Sequence, residues 1–248
     1  MGGSPLLETS GLSVRFGGLV ALDRLDLVVA SGEVVGLIGP NGAGKTTAID
    51  ALTGFVRSSG RVLFDGHDIS TLAPHRRARA GLGRTWQSVE LFDDLTVIEN
   101  LEVGARARDD RRGRPRVAGG TVAAERIDVA VALVGIADVV DRLPHELSHG
   151  ERMLAGLARS LASAPLLLCM DEPAAGLDAR ERAAFGGCLR GVVEAGTAVL
   201  LVDHDIDLMV SVCDRLYAVE SGVVIAVGEP GSVVRDQRVV EAYLGRPR

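Results

Sequence analysis

Apolar residues in this chain fall into two textures. Three short runs, Glu33 to Ile38, Leu166 to Met170 and Ala198 to Val202, are nearly unbroken by polar residues. Runs of that length without a polar face predict strands buried on both sides. Leu12 to Phe16, Leu25 to Val29, Val62 to Phe64, Leu216 to Val219 and Val223 to Val227 predict further strands, with turns at Asp65-Gly66 and Ser221-Gly222. Helical spacing runs through Thr46 to Leu52, Pro74 to Ala80, Thr96 to Gly104, Val122 to Val134 and Arg180 to Ala195. Strand 166–170, helix 180–195 and strand 198–202 form a βαβ succession, which predicts a parallel sheet. The expected fold is therefore α/β, one domain over 1–248, with a helical insertion from about Ser88 to Ala158 and a tail over about 229–248.

Composition narrows the picture. At 248 residues the chain can bury a sizeable core, and with 3% aromatics that core is built mostly of Ala, Val and Leu. The net charge of -6 argues against phosphate-driven nucleic-acid binding. The basic loop Arg106 to Gly120 has no interleaved aromatics and reads as a solvated loop. No apolar run approaches the ~20 residues that span a bilayer. Met1 to Ser10 lacks the basic start and apolar stretch of a signal peptide. The expectation is a cytoplasmic protein, held at any membrane by another subunit. Cys169, Cys188 and Cys213 are odd in number and scattered, which predicts buried thiols in a reducing compartment. Of 27 basic residues only Lys45 is a lysine, so a compact ammonium is singled out at one position.

That lysine lies in Gly39-Pro40-Asn41-Gly42-Ala43-Gly44-Lys45-Thr46, followed by Thr47, between a predicted strand and a predicted helix. The pattern fits a phosphate-binding loop in its proper context. Its backbone N–H groups and the helix N-terminus attract phosphate oxygens. Lys45 is expected on the β- and γ-phosphates of a nucleotide and Thr46 on Mg²⁺. Asp171-Glu172 closes an apolar strand, at the carboxyl edge where ligands of open α/β sheets bind. Asp171 is expected to hold Mg²⁺ and Glu172 to act as general base toward water.

Leu147-Ser148-His149-Gly150-Glu151 resembles the signature motif of ABC ATPases, whose usual form is Leu-Ser-Gly-Gly-Gln. The resemblance covers nearly the whole chain. It implies the ABC ATPase version of the P-loop NTPase fold, with an N-terminal antiparallel β part and an α-helical subdomain. It also implies roles in the family's order. Phe16 would stack on adenine, and Gln87 would sense Mg²⁺ and the attacking water. Ser148 and Gly150 would contact the partner's ATP, and Ala175 to Asp178 would cross to the partner. His204 would contact the γ-phosphate. The implied partners are a second ATPase subunit, identical or similar, transmembrane permease subunits and, indirectly, a substrate-binding protein. Gly83 to Gln87, Leu91 to Asn100 and Glu241 to Gly245 resemble ATPases of branched-chain amino-acid importers. Relatives serving urea or short amides, or lipopolysaccharide export, share much of this text. A soluble ABC ATPase acting on DNA or ribosomes, or a P-loop kinase, fits less well: the chain has one cassette, no coiled-coil insertion and no evident acceptor lid.

The chain departs from that pattern at Trp86, where the branch usually has Phe, at Ala174-Ala175 and at Glu151, which replaces Gln. Ser148-His149-Gly150-Glu151 also reads as a capping box, so Glu151 either holds the helix start or faces the partner's nucleotide.

Overall fold

A computed structural model describes residues 4–85, 91–106 and 121–244. Two sheets share the work. The first is antiparallel, built from β1 (Leu7–Phe16), β2 (Leu19–Leu25), β3 (Val28–Val29), β5 (Ser59–Phe64) and β6 (His67–Asp68), with the order β2-β1-β5-β6 and β3 also paired to β1. The second contains β4 (Val34–Ile38), β7 (Leu82–Arg84), β8 (Leu167–Asp171), β9 (Ala198–Val202), β10 (Arg215–Glu220) and β11 (Val223–Gly228). Its order is β11-β10-β4-β9-β8-β7, parallel throughout except at β11.

The continuous apolar runs are the strands at the middle of this second sheet, and their side chains divide with period two. Leu168, Met170, Val199 and Leu201 enter one core cluster, whereas Leu167, Cys169, Leu200 and Val202 enter the other. The first cluster joins the sheet to the helices α3 (Val97–Arg106), α4 (Thr121–Val134), α5 (His149–Ala162), α6 (Ala179–Glu194) and α7 (Ile206–Val212). The second joins it to the antiparallel sheet and to α1 (Lys45–Thr53). Helices α3, α4 and α5 pack on one another between β7 and β8 in the chain. The short α8 (Pro230–Val233) and then α9 (Gln237–Leu244) end the described chain. No helix of the described residues is long and apolar enough to cross a membrane. The three cysteines are free, and burial pushes the thiols of Cys169 and Cys213 up to about 12.

Two expectations change near the N-terminus. The strand expected from Leu12 already begins at Leu7, and the register of β1 against β5 shifts between Ser10 and Ser13. Gly11 sits there with φ +63 and donates its N–H to Asp26 Oδ1 at 2.6 Å. This bulge moves the inward phase from Leu7 and Thr9 to Leu12 and Val14, which breaks the alternation a sequence pattern relies on. The strand expected over Leu25 to Val29 is two pieces. Leu25 ends β2, a strand that pairs with β1 across Gly17-Gly18, and only Val28–Val29 forms β3.

Helix α2 (Pro74–Ala80) carries the one buried cation of the described residues besides Lys45. Arg77 donates to four carbonyl oxygens: Ala51 at 2.8 Å, Leu52 at 2.7 Å, Leu72 at 2.9 Å and Ser70 at 2.8 Å. Two of these lie in the last turn of α1, where carbonyls run out of helical donors, although Ala51 O also accepts the Gly54 N–H at 3.3 Å. Burial holds the guanidinium below its usual pKa, and the planar fork is what reaches both helix end and loop. Arg77→Ala is expected to cost about 3 kcal/mol, since four acceptors lose a charged donor, and to lower Tm by roughly 6–12 °C in a thermal melt. Arg77→Lys is expected to recover less than half of that loss.

Candidate active site

The carboxyl ends of β4, β8 and β9 lie side by side, since β4 pairs β9 and β9 pairs β8 in parallel. Each ends in a candidate residue: Gly39 after β4, Asp171-Glu172 at β8, and Asp203-His204 after β9. The phosphate loop runs from Gly39 to Gly44 and delivers Lys45 as the first residue of α1, with Gly44 as a left-handed N-cap at φ +101. Lys45 is 6% exposed, and its Nζ donates to Gly39 O at 2.7 Å and Pro40 O at 3.1 Å. Burial lowers its pKa, opposed by the nearby carboxylates of Glu172, Asp171 and Asp203. Thr46 follows at the exposed start of the helix, with its hydroxyl beside the Asp171 carboxyl.

Four neighbours fix the loop. Gly222 N donates to Ala43 O at 2.9 Å. A Cβ on Gly44 would come within 2.4 Å of Ala21 O, and one on Gly39 within 2.1 Å of Val219 O, so both positions need glycine. The fourth neighbour is Tyr243 on α9, whose hydroxyl accepts the Gly39 N–H at 2.8 Å. Asn41 and Gly42 form the exposed crest, and Thr47 is half-buried behind Thr46.

Asp171 is buried, which raises its pKa, while the Thr46 hydroxyl acts in the opposite direction. Its Oδ1 has no hydrogen-bond partner among the described residues. A buried carboxylate oxygen left bare beside a hydroxyl is an oxygen donor set suited to a hard divalent cation such as Mg²⁺. Glu172 follows with φ +47, a left-handed backbone, and its N–H donates to Val202 O at 2.7 Å. Its Oε2 lies 3.7 Å from His204 Nδ1. Asp203 is buried; its Oδ1 accepts the N–H groups of His204 at 2.8 Å and Asp205 at 3.0 Å, while Oδ2 has no partner among the described residues. The turn after β9 is thereby fixed, and the His204 side chain stays 60% exposed.

The other candidates lie elsewhere. Phe16 ends β1 at the hairpin and is 51% exposed, outside both core clusters. Gln87 and Trp86 lie outside the described residues. Ser148 is the N-cap of α5: its Oγ accepts the Glu151 N–H at 3.2 Å, and its own N–H donates to Glu151 Oε2 at 2.7 Å. The capping box expected from the sequence is therefore present. Those hydrogen bonds hold the Glu151 carboxyl below its usual range, the Ser148 backbone N–H first. Asp178 caps α6 in the same way, accepting from Arg180 N and Glu181 N at 2.8 Å each, with Glu181 reaching back to Asp178 N at 2.9 Å.

Two residues of the site were not singled out from the sequence. Asp203 precedes His204 at the end of an apolar strand, and that placement is a legible signal. Tyr243 stood only in a terminal segment read as a family likeness; nothing local indicates a contact 204 residues away. Tyr243→Phe leaves the Gly39 N–H without its acceptor, a loss of about 1–2 kcal/mol in loop geometry. ATP affinity in a fluorescent-nucleotide titration is expected to fall roughly 5- to 30-fold, with Tm within a few degrees of wild type. Unchanged affinity would separate α9 from nucleotide binding.

Comparison with known proteins places this geometry. The ABC transporter family profile matches residues 22–175, and the profile of the branched-chain amino acid ATP-binding cassette transporter matches residues 223–247. The high-affinity branched-chain amino acid transport ATP-binding protein BraF of Pseudomonas aeruginosa is 36% identical over 253 residues, covering 97% of this chain and 98% of that protein. The lipopolysaccharide export system ATP-binding protein LptB of Haemophilus influenzae is 36% identical over 241 residues, with 97% of each covered. Among solved structures, the ADP conformation of an ATP-binding cassette of an ABC transporter superposes with a TM-score of 0.87 at 29% identity, covering 98% of this chain and 100% of that one. A nucleotide-free cassette from an ABC transporter gives 0.83 at 30% identity, with the same coverage. The chain belongs to the ABC transporter family, as one of its ATP-binding, ATP-hydrolysing subunits.

Proposed function

We propose that this subunit pairs around two ATP molecules and drives import of branched-chain amino acids through transmembrane permease subunits, working on the cytoplasmic face of the membrane. One observation supports the catalytic part above the others: at a single sheet edge, the Lys45 loop, the bare Asp171 Oδ1 and the Glu172–His204 pair converge. The loop amides and the Lys45 ammonium bind the phosphates, and the buried ammonium offsets developing negative charge. Asp171 and Thr46 would hold Mg²⁺, which supplies charge neutralisation at the phosphates when bound. Glu172 takes the proton of the attacking water, and His204, 3.7 Å away, faces the same space. By the family resemblance Gln87 senses Mg²⁺ and the attacking water, Phe16 takes the adenine, and Asp178 belongs to the loop that meets the partner.

The start of α5 supplies the second half of each site. Ser148 and Gly150 at a helix N-terminus present amides and a positive dipole end to the partner's nucleotide. Helices α3 to α5 form the part that carries the motion to the permease. The C-terminal profile match over 223–247 favours the branched-chain importer branch, with a substrate-binding protein acting upstream. The likeness to LptB supports lipopolysaccharide export as the second reading.

Glu172→Gln keeps size and loop geometry and removes the base. Turnover is expected to fall ~10²–10⁴-fold while ATP binding persists and MgATP holds a dimer visible in sedimentation. In cells, the same substitution is expected to abolish uptake of leucine, isoleucine and valine. Normal turnover removes Glu172 from the base role, and intact uptake with turnover lost moves the substrate away from these amino acids.

Glu151 supplies a further test. Gln makes the same cap without the charge, and an anion at this helix start opposes approach of the partner's phosphates. Glu151→Gln in the Glu172→Gln background is expected to tighten MgATP-dependent pairing, with the gain shrinking as salt rises. Unchanged pairing leaves Glu151 with capping alone.

A further inference from the structure

The usual ABC signature has glycine where this chain has His149, and the imidazole makes a contact a glycine cannot. His149 Nε2 lies 3.0 Å from Ala175 O, in the loop between Glu172 and α6. A carbonyl only accepts, so Nε2 carries the proton and donates. The neutral Nε2–H tautomer and the imidazolium both supply that donor. The ring also lies against Gly176, which has φ +81: a Cβ there would come within 3.1 Å of Nε2. One residue on, Gly150 is pressed to the other capped helix, where a Cβ would come within 2.8 Å of Glu181 Oε1. Glu181 Oε2 meanwhile accepts the Asp178 N–H at 2.9 Å. The same loop is anchored at its other end, as Ala175 N donates to Glu172 O at 3.2 Å and Leu177 N to Ala174 O at 3.2 Å.

These contacts form one chain of physical links. It runs from the N-cap of α5, through His149 and Gly150, to the 174–178 turn and the N-cap of α6, and back to the backbone of Glu172. Without His149 the two turns keep packing, of Gly150 on Glu181 and Leu177, and lose the hydrogen bond between them. We propose that His149 is a positioning residue that clamps the signature turn to the 174–178 loop, so that the surface offered to the partner's nucleotide and the backbone carrying Glu172 move together. The proposal rests on the pairing described above, in which the start of α5 faces the partner's ATP. The clamp itself is a property of the single chain.

Two variants separate donor from bulk. His149→Phe keeps a flat ring over Gly176 and removes the Nε2 donor; His149→Gln keeps an amide donor of similar reach. In the nucleotide-free protein, amide hydrogen exchange across 174–178 is expected to rise at least about fivefold in the Phe variant and to return to within about twofold of wild type in the Gln variant. His149 is exposed, so both variants are expected to melt with wild type, which a thermal scan checks. In steady-state turnover, kcat is expected to fall about 3- to 10-fold for Phe with KM for MgATP within twofold, because His149 touches the loop and not the chain's own phosphate site. Exchange unchanged in the Phe variant overturns the clamp. Raised exchange with unchanged kcat overturns its positioning role. Raised exchange in the Phe variant alongside a wild-type protein that shows no ATP turnover would leave the clamp standing and strike the ATPase reading instead.

Discussion

Charge compensation at the carboxyl edge of the parallel sheet is the constraint on which the rest of the site depends. Asp171 and Asp203 are buried at neighbouring strand ends, and a buried carboxylate without a counter-charge costs several kcal/mol. Lys45 is the cation that faces both of them and Glu172. Its ammonium also holds Gly39 O and Pro40 O, so the same group that balances the acids folds the loop over itself. In the proposed role, a phosphate chain arriving there would meet a cation already desolvated and acids already placed, with little left to reorganise. The apolar strands around it supply the low dielectric that makes this arrangement strong.

The sheet divides its side chains between two cores, and this division sets what can move. The strand ends of the site belong to the layer between both clusters, whereas α3, α4 and α5 belong to one cluster only. A helical group packed on one side can rock without disturbing the antiparallel sheet that steadies the phosphate loop from the other. Three of the loop's four ties are to that steadier side, Ala21 in β2, Val219 in β10 and the turn at Gly222, and the fourth is Tyr243 on α9.

Much of this was legible in the sequence where a residue's role is set by its immediate neighbours. The strands buried on both faces, the loop around Lys45, the Asp171-Glu172 strand end and the capping box at Ser148 all announce themselves within ten residues. The failures have physical reasons. The Gly11 bulge inverts the inward phase of β1, so half of that strand was invisible to a period-two pattern. β2 has a half-exposed, irregular burial pattern that carries no clean alternation. Arg77 gives no sign, in a basic helix, that its four acceptors lie on other elements. Contacts such as Tyr243 to Gly39 and His149 to Ala175 exist only once the fold is closed.

Glu172 sits at φ +47, where a side chain with a Cβ is strained by roughly 1 kcal/mol or more and glycine is not. The position that carries the proposed base is thus one where the backbone favours a different residue. Under laboratory evolution for heat resistance alone, Glu172 is a position of cheap improvement, open to glycine or asparagine. Libraries scored on thermal survival would enrich folded, nucleotide-binding proteins that have lost their chemistry, and selection on turnover has to oppose that drift at this one codon.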